Sequence, residues 1–137
     1  MAHGDWRMIS ERGKMFPMAI SGIAHVQLAI TPGGEDEARA FFGGLLGLAE
    51  IAKPASLAER GGCWFECGPQ QIHCGVEDLI APTRRHPALL TDDLDGLRAR
   101  LEAAGTPLAT DRDLPGYRRF YATDPFGNRI EFLEPLG

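Results

Sequence analysis

Cysteine is scarce in this chain: three stand among 137 residues, at positions 63, 67 and 74. Three thiols do not make the disulfide framework of a small secreted domain. Cys63 and Cys67 fall on one face of a strand-like run, roughly 13 Å apart at about 3.3 Å per residue, too far to bridge. Reduced thiols in a cytoplasmic protein are the expectation. Long apolar runs are missing too. None approaches the roughly 18 residues that a membrane span needs, so no membrane partner is expected. Basic residues are in the minority, 14 against 19 acidic, for a net charge of −5. Without a basic face the chain is not expected to bind nucleic acid. The doublets Arg84-Arg85 and Arg118-Arg119 suit a small anion at most. The first 17 residues lack periodicity, and Arg7, Glu11, Arg12 and Lys14 interrupt any signal-peptide core. Residues 1–20 therefore read as an N-terminal tail, which sets His3 aside, and 21–137 as a single domain. Hydrophobic residues make up 44%, enough for a packed core at this length.

Beyond the tail the chain reads as one motif written twice. Residues 23–30 alternate, with Ala24, Val26, Leu28 and Ile30 on one face and His25, Gln27 and Ala29 on the other. That is the pattern of a half-buried strand. Thr31-Pro32-Gly33-Gly34 breaks it, and a helix is predicted over about 35–46, with Ala38, Phe41, Phe42 and Leu45 as its apolar stripe. Gly43-Gly44 weakens this helix and Gly47 ends it. A short strand near 49–52, a loop or ragged strand over 54–62, and strands at 63–67 and 71–77 complete a β-α-β-β-β unit. After a connection over 78–85 the order restarts. A strand at 86–91 leads to a helix over 94–104, capped by Asp92 or Asp93 and stopped by Gly105. A weak strand at 107–111 follows. Strands at 117–123 and 129–133, joined by an Asp124-Pro125-Phe126-Gly127-Asn128 turn, close the unit. The expected fold class is α+β: two βαβββ modules, 21–80 and 84–135, with helices outside and sheets curved around a shared cavity.

Metal-binding side chains recur at matched places in the two modules. His25 and His86, 61 residues apart, each open a strand-like run; His73 and Glu131, 58 apart, each sit inside a later one. Parity puts His25, His73 and Glu131 on the face away from the helices. His86 is less clear, because Pro87 follows it and Ala88, Leu89 and Leu90 are all apolar. A carboxylate within Ile130-Glu131-Phe132-Leu133 needs a cation or hydrogen bonds if it is buried. Taken singly, each residue is as well explained as an ordinary strand position; Glu131, for one, has Arg129 at hand. Their joint placement is what suggests a site.

Three segments carry a resemblance. Ile23 to Leu28, Phe41 to Leu48 and Tyr121 to Phe132 resemble the vicinal oxygen chelate proteins, the glyoxalase/bleomycin resistance/dioxygenase superfamily, over about residues 21–135. Asp124-Pro125-Phe126-Gly127-Asn128-Arg129-Ile130-Glu131-Phe132 is the most specific match. The resemblance implies a divalent metal (Zn, Fe, Ni, Co or Mn) held by His25, His73, His86 and Glu131. It also implies a homodimer whose modules pair within one chain or across two. The chain departs from glyoxalase I at His73, where those enzymes carry a glutamate that is also the base. Four protein ligands on a six-coordinate ion leave two neighbouring positions for a substrate with adjacent oxygens. The expected function is a metal-dependent enzyme of isomerase, lyase or epimerase type acting on a small molecule. Glu131 and Tyr121 are the expected catalytic groups. The alternatives are a metal-free drug- or metabolite-binding protein, an extradiol-type dioxygenase, and a resistance enzyme opening an antibiotic epoxide. Arg60, Trp64, Arg118 and Arg119 are candidate substrate contacts, the arginines for a carboxylate or phosphate. Since Arg118 and Arg119 alternate in one strand, at most one of them faces inward.

Overall fold

The alternating run at the head of the domain forms strand β1 (His25–Ile30). The computed structural model describes residues 19–78, 80, 81 and 83–137. Most of the expected tail, with His3, therefore lies outside the described residues.

β1 lies parallel to β4 (Gln70–Val76), which forms a hairpin with β3 (Cys63–Cys67); β2 (Glu50–Ile51) pairs with β3 at the far edge. The second sheet repeats this plan. β5 (Ala88–Leu90) is parallel to β8 (Arg129–Pro135), which is antiparallel to β7 (Tyr117–Thr123), with β6 (Leu108–Ala109) at the edge. The strand orders, β1-β4-β3-β2 and β5-β8-β7-β6, are the duplicated topology that the sequence suggests. The two sheets remain separate and do not close into one.

One face of each sheet packs on a helix. Ile30, Phe65, Ile72 and Cys74 are buried with Ala38, Phe41 and Phe42 in the first module; Phe120, Ala122, Ile130 and Phe132 are buried with Leu94, Leu97 and Leu101 in the second. The second helix, α2 (Leu94–Ala103), starts as its sequence implies, with the Asp93 carboxylate accepting from Gly96 N–H at 3.0 Å. Gly105 follows with φ +77°.

Three elements differ from expectation. The helix over 35–46 is α-helical only in α1 (Glu35–Ala38) and continues as a π-helix, Arg39–Leu45, with Leu46 N–H bonded to Phe41 O at 3.0 Å. Gly43 and Gly44 give the α form little to resist this widening, and Phe41 and Phe42 both reach the core. The stretch after Pro54 is a 3₁₀-helix, Ala55–Arg60, rather than a ragged strand. The expected strand at 86–91 shrinks to β5. Pro87 has no N–H to give a ladder, so His86 stands just before the strand.

The turn before β8 ties the modules together. The buried Asp124 carboxylate accepts from the N–H groups of Phe126 and Asn128 and from Asn128 Nδ2, at 2.7 to 2.9 Å. Asn128 Nδ2 also donates to Ala29 O of β1 at 2.7 Å. No helix among the described residues is long and apolar enough to cross a membrane.

Candidate functional site

The helix-free faces of the two sheets each carry a polar cluster. On the first sheet three rings stack. Trp64 lies on His73 at 3.7 Å between centroids and 4° between planes, and His25 covers His73 at 3.9 Å and 15°. The register explains this: Trp64 is the cross-strand partner of His73, while β1 pairs beside it with Gln27 opposite His73. His73 is buried, and its Nε2 meets Gln71 Oε1 at 2.8 Å. An amide oxygen only accepts, so this nitrogen carries the hydrogen. Burial, then the neighbouring His25, then the Lys53 ammonium hold the His73 pKa below its usual value. His25 is exposed on the outside of the stack.

The second cluster surrounds a buried carboxylate. Glu131 Oε1 lies 2.9 Å from His86 Nε2, and Oε2 accepts from Arg119 Nη1 at 3.1 Å. The same Nη1 donates to the Tyr121 hydroxyl at 2.7 Å, and Nη2 donates to Arg112 O at 2.6 Å. Arg119 Nε is buried without a hydrogen-bond partner among the described residues. The Arg129 guanidinium sits 3.9 Å above the Tyr121 ring, and His86 meets that ring edge-on at 5.3 Å. Arg118 points the other way, to Asp95 of α2, so Arg119 is the inward arginine of the pair. Arg60 and Trp64 lie on the first sheet's side, lining a separate cavity with Lys53.

His86 has the donor geometry of a ligand. Its Nδ1 is 2.9 Å from the Arg84 carbonyl, which can only accept, so Nδ1 bears the hydrogen. In the neutral ring Nε2 is then a lone pair facing a carboxylate 2.9 Å away. Two acceptors at that distance need a proton or a cation between them. Ligands about 2.1 Å from one ion and at right angles lie about 3.0 Å apart, so the pair fits adjacent places on a six-coordinate metal. The first cluster fits less well as it stands. Parallel rings 3.9 Å apart do not aim their in-plane lone pairs at a common point, so His73 joins His25 as a ligand only by turning.

The sequence reading expects all four residues at one point; the structure brings His25 to His73 and His86 to Glu131 but does not gather the two pairs. Among the described residues no group of three His, Cys, Asp or Glu side chains could hold one metal ion. His86 lines a groove of about 540 Å³ whose opposite wall is β1, at Val26, Gln27 and Leu28. Sequence reasoning missed Gln71 and Lys53 as neighbours of the site, and offered Arg129 to Glu131, whereas Glu131 pairs with Arg119 and Arg129 lies over the Tyr121 ring. Parity alone placed Arg129 and Gln71 on the right faces; nothing local signalled Lys53.

A duplicated βαβββ fold with histidines and a carboxylate on its open faces defines a class of protein, and the comparisons name it. Residues 22–132 match the model of the Glyoxalase/Bleomycin resistance protein/Dioxygenase superfamily, and the chain belongs to that superfamily. It is similar to a glyoxalase family protein from Bacillus anthracis, at 48% identity over 88% of this chain and 100% of that one, with a TM-score of 0.82. It is also similar to a lactoylglutathione lyase from Agrobacterium tumefaciens, at 25% identity over 85% and 96% of the two chains and a TM-score of 0.64. The fosfomycin resistance protein FosX from Listeria monocytogenes shares the fold, with 20% identity over 86% and 94% and a TM-score of 0.68. No curated protein matches the chain.

Proposed function

We propose that the protein is a metal-dependent enzyme that binds a small molecule through neighbouring oxygens, at a site that joins the donors of its two modules, within one chain or across a homodimer. The observation that carries this reading is the His86–Glu131 pair, 2.9 Å apart, with His86 Nδ1 anchored on a carbonyl and Nε2 left to coordinate. His25 of the other module is the third ligand in this reading, and His73 behind it is either a fourth ligand or its support. A divalent ion held there would act as a Lewis acid on the chelated oxygens. The chain's own groups do the rest. Tyr121, its hydroxyl on Arg119 Nη1, is placed to pass a proton, and Arg129 over its ring adds positive charge where an oxyanion develops. Isomerase, lyase, epimerase and epoxide-opening chemistry all fit such a site. An extradiol-type oxygenase would use the three-ligand form. The reading places the protein in the cytoplasm.

Metal content of protein freed of any affinity tag tests this. Stoichiometric uptake of one divalent ion per chain is expected, abolished in His86→Ala and Glu131→Ala. No uptake by the apo protein would refute it.

One observation favours a second reading, a metal-free binding protein. Arg119 already neutralises Glu131, so the buried carboxylate has a cation without any metal.

A further inference from the structure

A cavity of about 180 Å³ opens between the first sheet and the 3₁₀-helix Ala55–Arg60, away from the His86–Glu131 pair. Lys53, Arg60, Trp64 and Gln27 line it, and no carboxylate does. The protein carries a net charge of −5, so a wall with two cations and no acid is a local inversion. Neither cation is in an ion pair among the described residues: Lys53 Nζ donates to Gly61 O, and Arg60 is exposed. The nearby carboxylate of Glu35 feels the Lys53 charge but is taken by Gly62 N–H at 2.7 Å. Gln27 adds an amide. A Cβ at Gly75 would lie 2.5 Å from Gln27 Nε2, so only glycine lets this side chain fold across β4 into the cavity. That amide has no hydrogen-bond partner among the described residues. The cavity also joins the candidate metal site. Trp64 stacks on His73, which stacks on His25.

We propose that this cavity is a second subsite that seats an oxyanion, a carboxylate or phosphonate, at the end of the substrate remote from the metal-chelating oxygens. The substrate class is then a compound with two neighbouring oxygens at one end and an anionic group at the other. Arg60 and Lys53 supply the charge, Gln27 a neutral donor, and Trp64 a flat wall for the segment between. The inference deepens the proposed function by naming its substrate class, and it rests on that reading only for what the rest of the ligand does.

The test separates the two. In a Trp6→Phe background Trp64 is the sole tryptophan, so its emission reports the cavity. Metal-free protein in chelator would be titrated with inorganic phosphate and, separately, with acetate. A saturable change in emission is expected with at least one of them. It should weaken about tenfold or more in Arg60→Gln and in Lys53→Gln, and fade with added salt. Arg60 is exposed, so its variant folds even if the Lys53 variant does not. Arg98→Gln, on the exposed surface of α2 and remote from the cavity, should leave the titration unchanged. No saturable change, or an undiminished one in Arg60→Gln, would overturn the subsite. Failure of metal uptake with the anion titration intact would overturn the metal reading alone.

Discussion

Arg119 and Glu131 form the ion pair on which the second cluster turns. Both side chains are largely buried, at 17% and 8% exposure, so removing the arginine strands a charge. Arg119→Met should destabilise the metal-free protein, because it leaves the buried Glu131 carboxylate without its cationic partner. If a divalent ion binds Glu131, it replaces the lost cation. Denaturant midpoints of Arg119→Met with and without metal should then converge on wild type; no recovery would favour the metal-free reading. The same residue shows what was legible beforehand. Alternation along β7 requires Arg118 and Arg119 to part, and Arg118 goes to Asp95 while Arg119 goes to Glu131. The stack on His73 was not legible. It joins residues 25, 64 and 73 through two different strand pairings, and no spacing in the sequence encodes which rings meet.

Among the elements, those with a strong local signal formed as expected. β7 spans Tyr117–Thr123, and α2 begins at its Asp93 cap. The misjudged elements were those where backbone chemistry overrides periodicity. Gly43-Gly44 admits the π-helix, and Pro87 trims β5. Cys63 and Cys67 do not pair, as their spacing requires. Cys63 instead lies opposite Cys74, a cross-strand partner that sequence reasoning did not find. Both thiols are buried, and the hydrogen bond between them raises the Cys74 pKa and lowers that of Cys63. Two glycines should respond oppositely to alanine. At Gly44 a Cβ meets only Arg39 O, at 4.0 Å, so Gly44→Ala should stabilise the protein by about 0.4–1 kcal/mol by narrowing the unfolded ensemble. At Gly62, with φ +82°, a Cβ would lie 2.1 Å from Cys74 O, so Gly62→Ala should lower stability by more than about 2 kcal/mol. Thermal unfolding of the two variants checks both signs.

At the scale of the whole molecule, the duplication is complete in topology and incomplete in function. Each module carries half of the candidate donor set on its own sheet: His25 and His73 on the first, Glu131 on the second with His86 beside it. If the halves meet across a two-fold axis, each site takes module one from one protomer and module two from the other. Two inactive variants can then rescue each other. His25→Ala spoils only module one, and Glu131→Ala only module two. A mixed dimer of the two has one doubly damaged site and one with both halves intact. Unfolding and refolding equal amounts together should regain about a quarter of the wild-type metal capacity and activity, because half the dimers are mixed and each has one good site of two. A site formed within a single chain would regain none, so this mixture reads out which protomer lends which half.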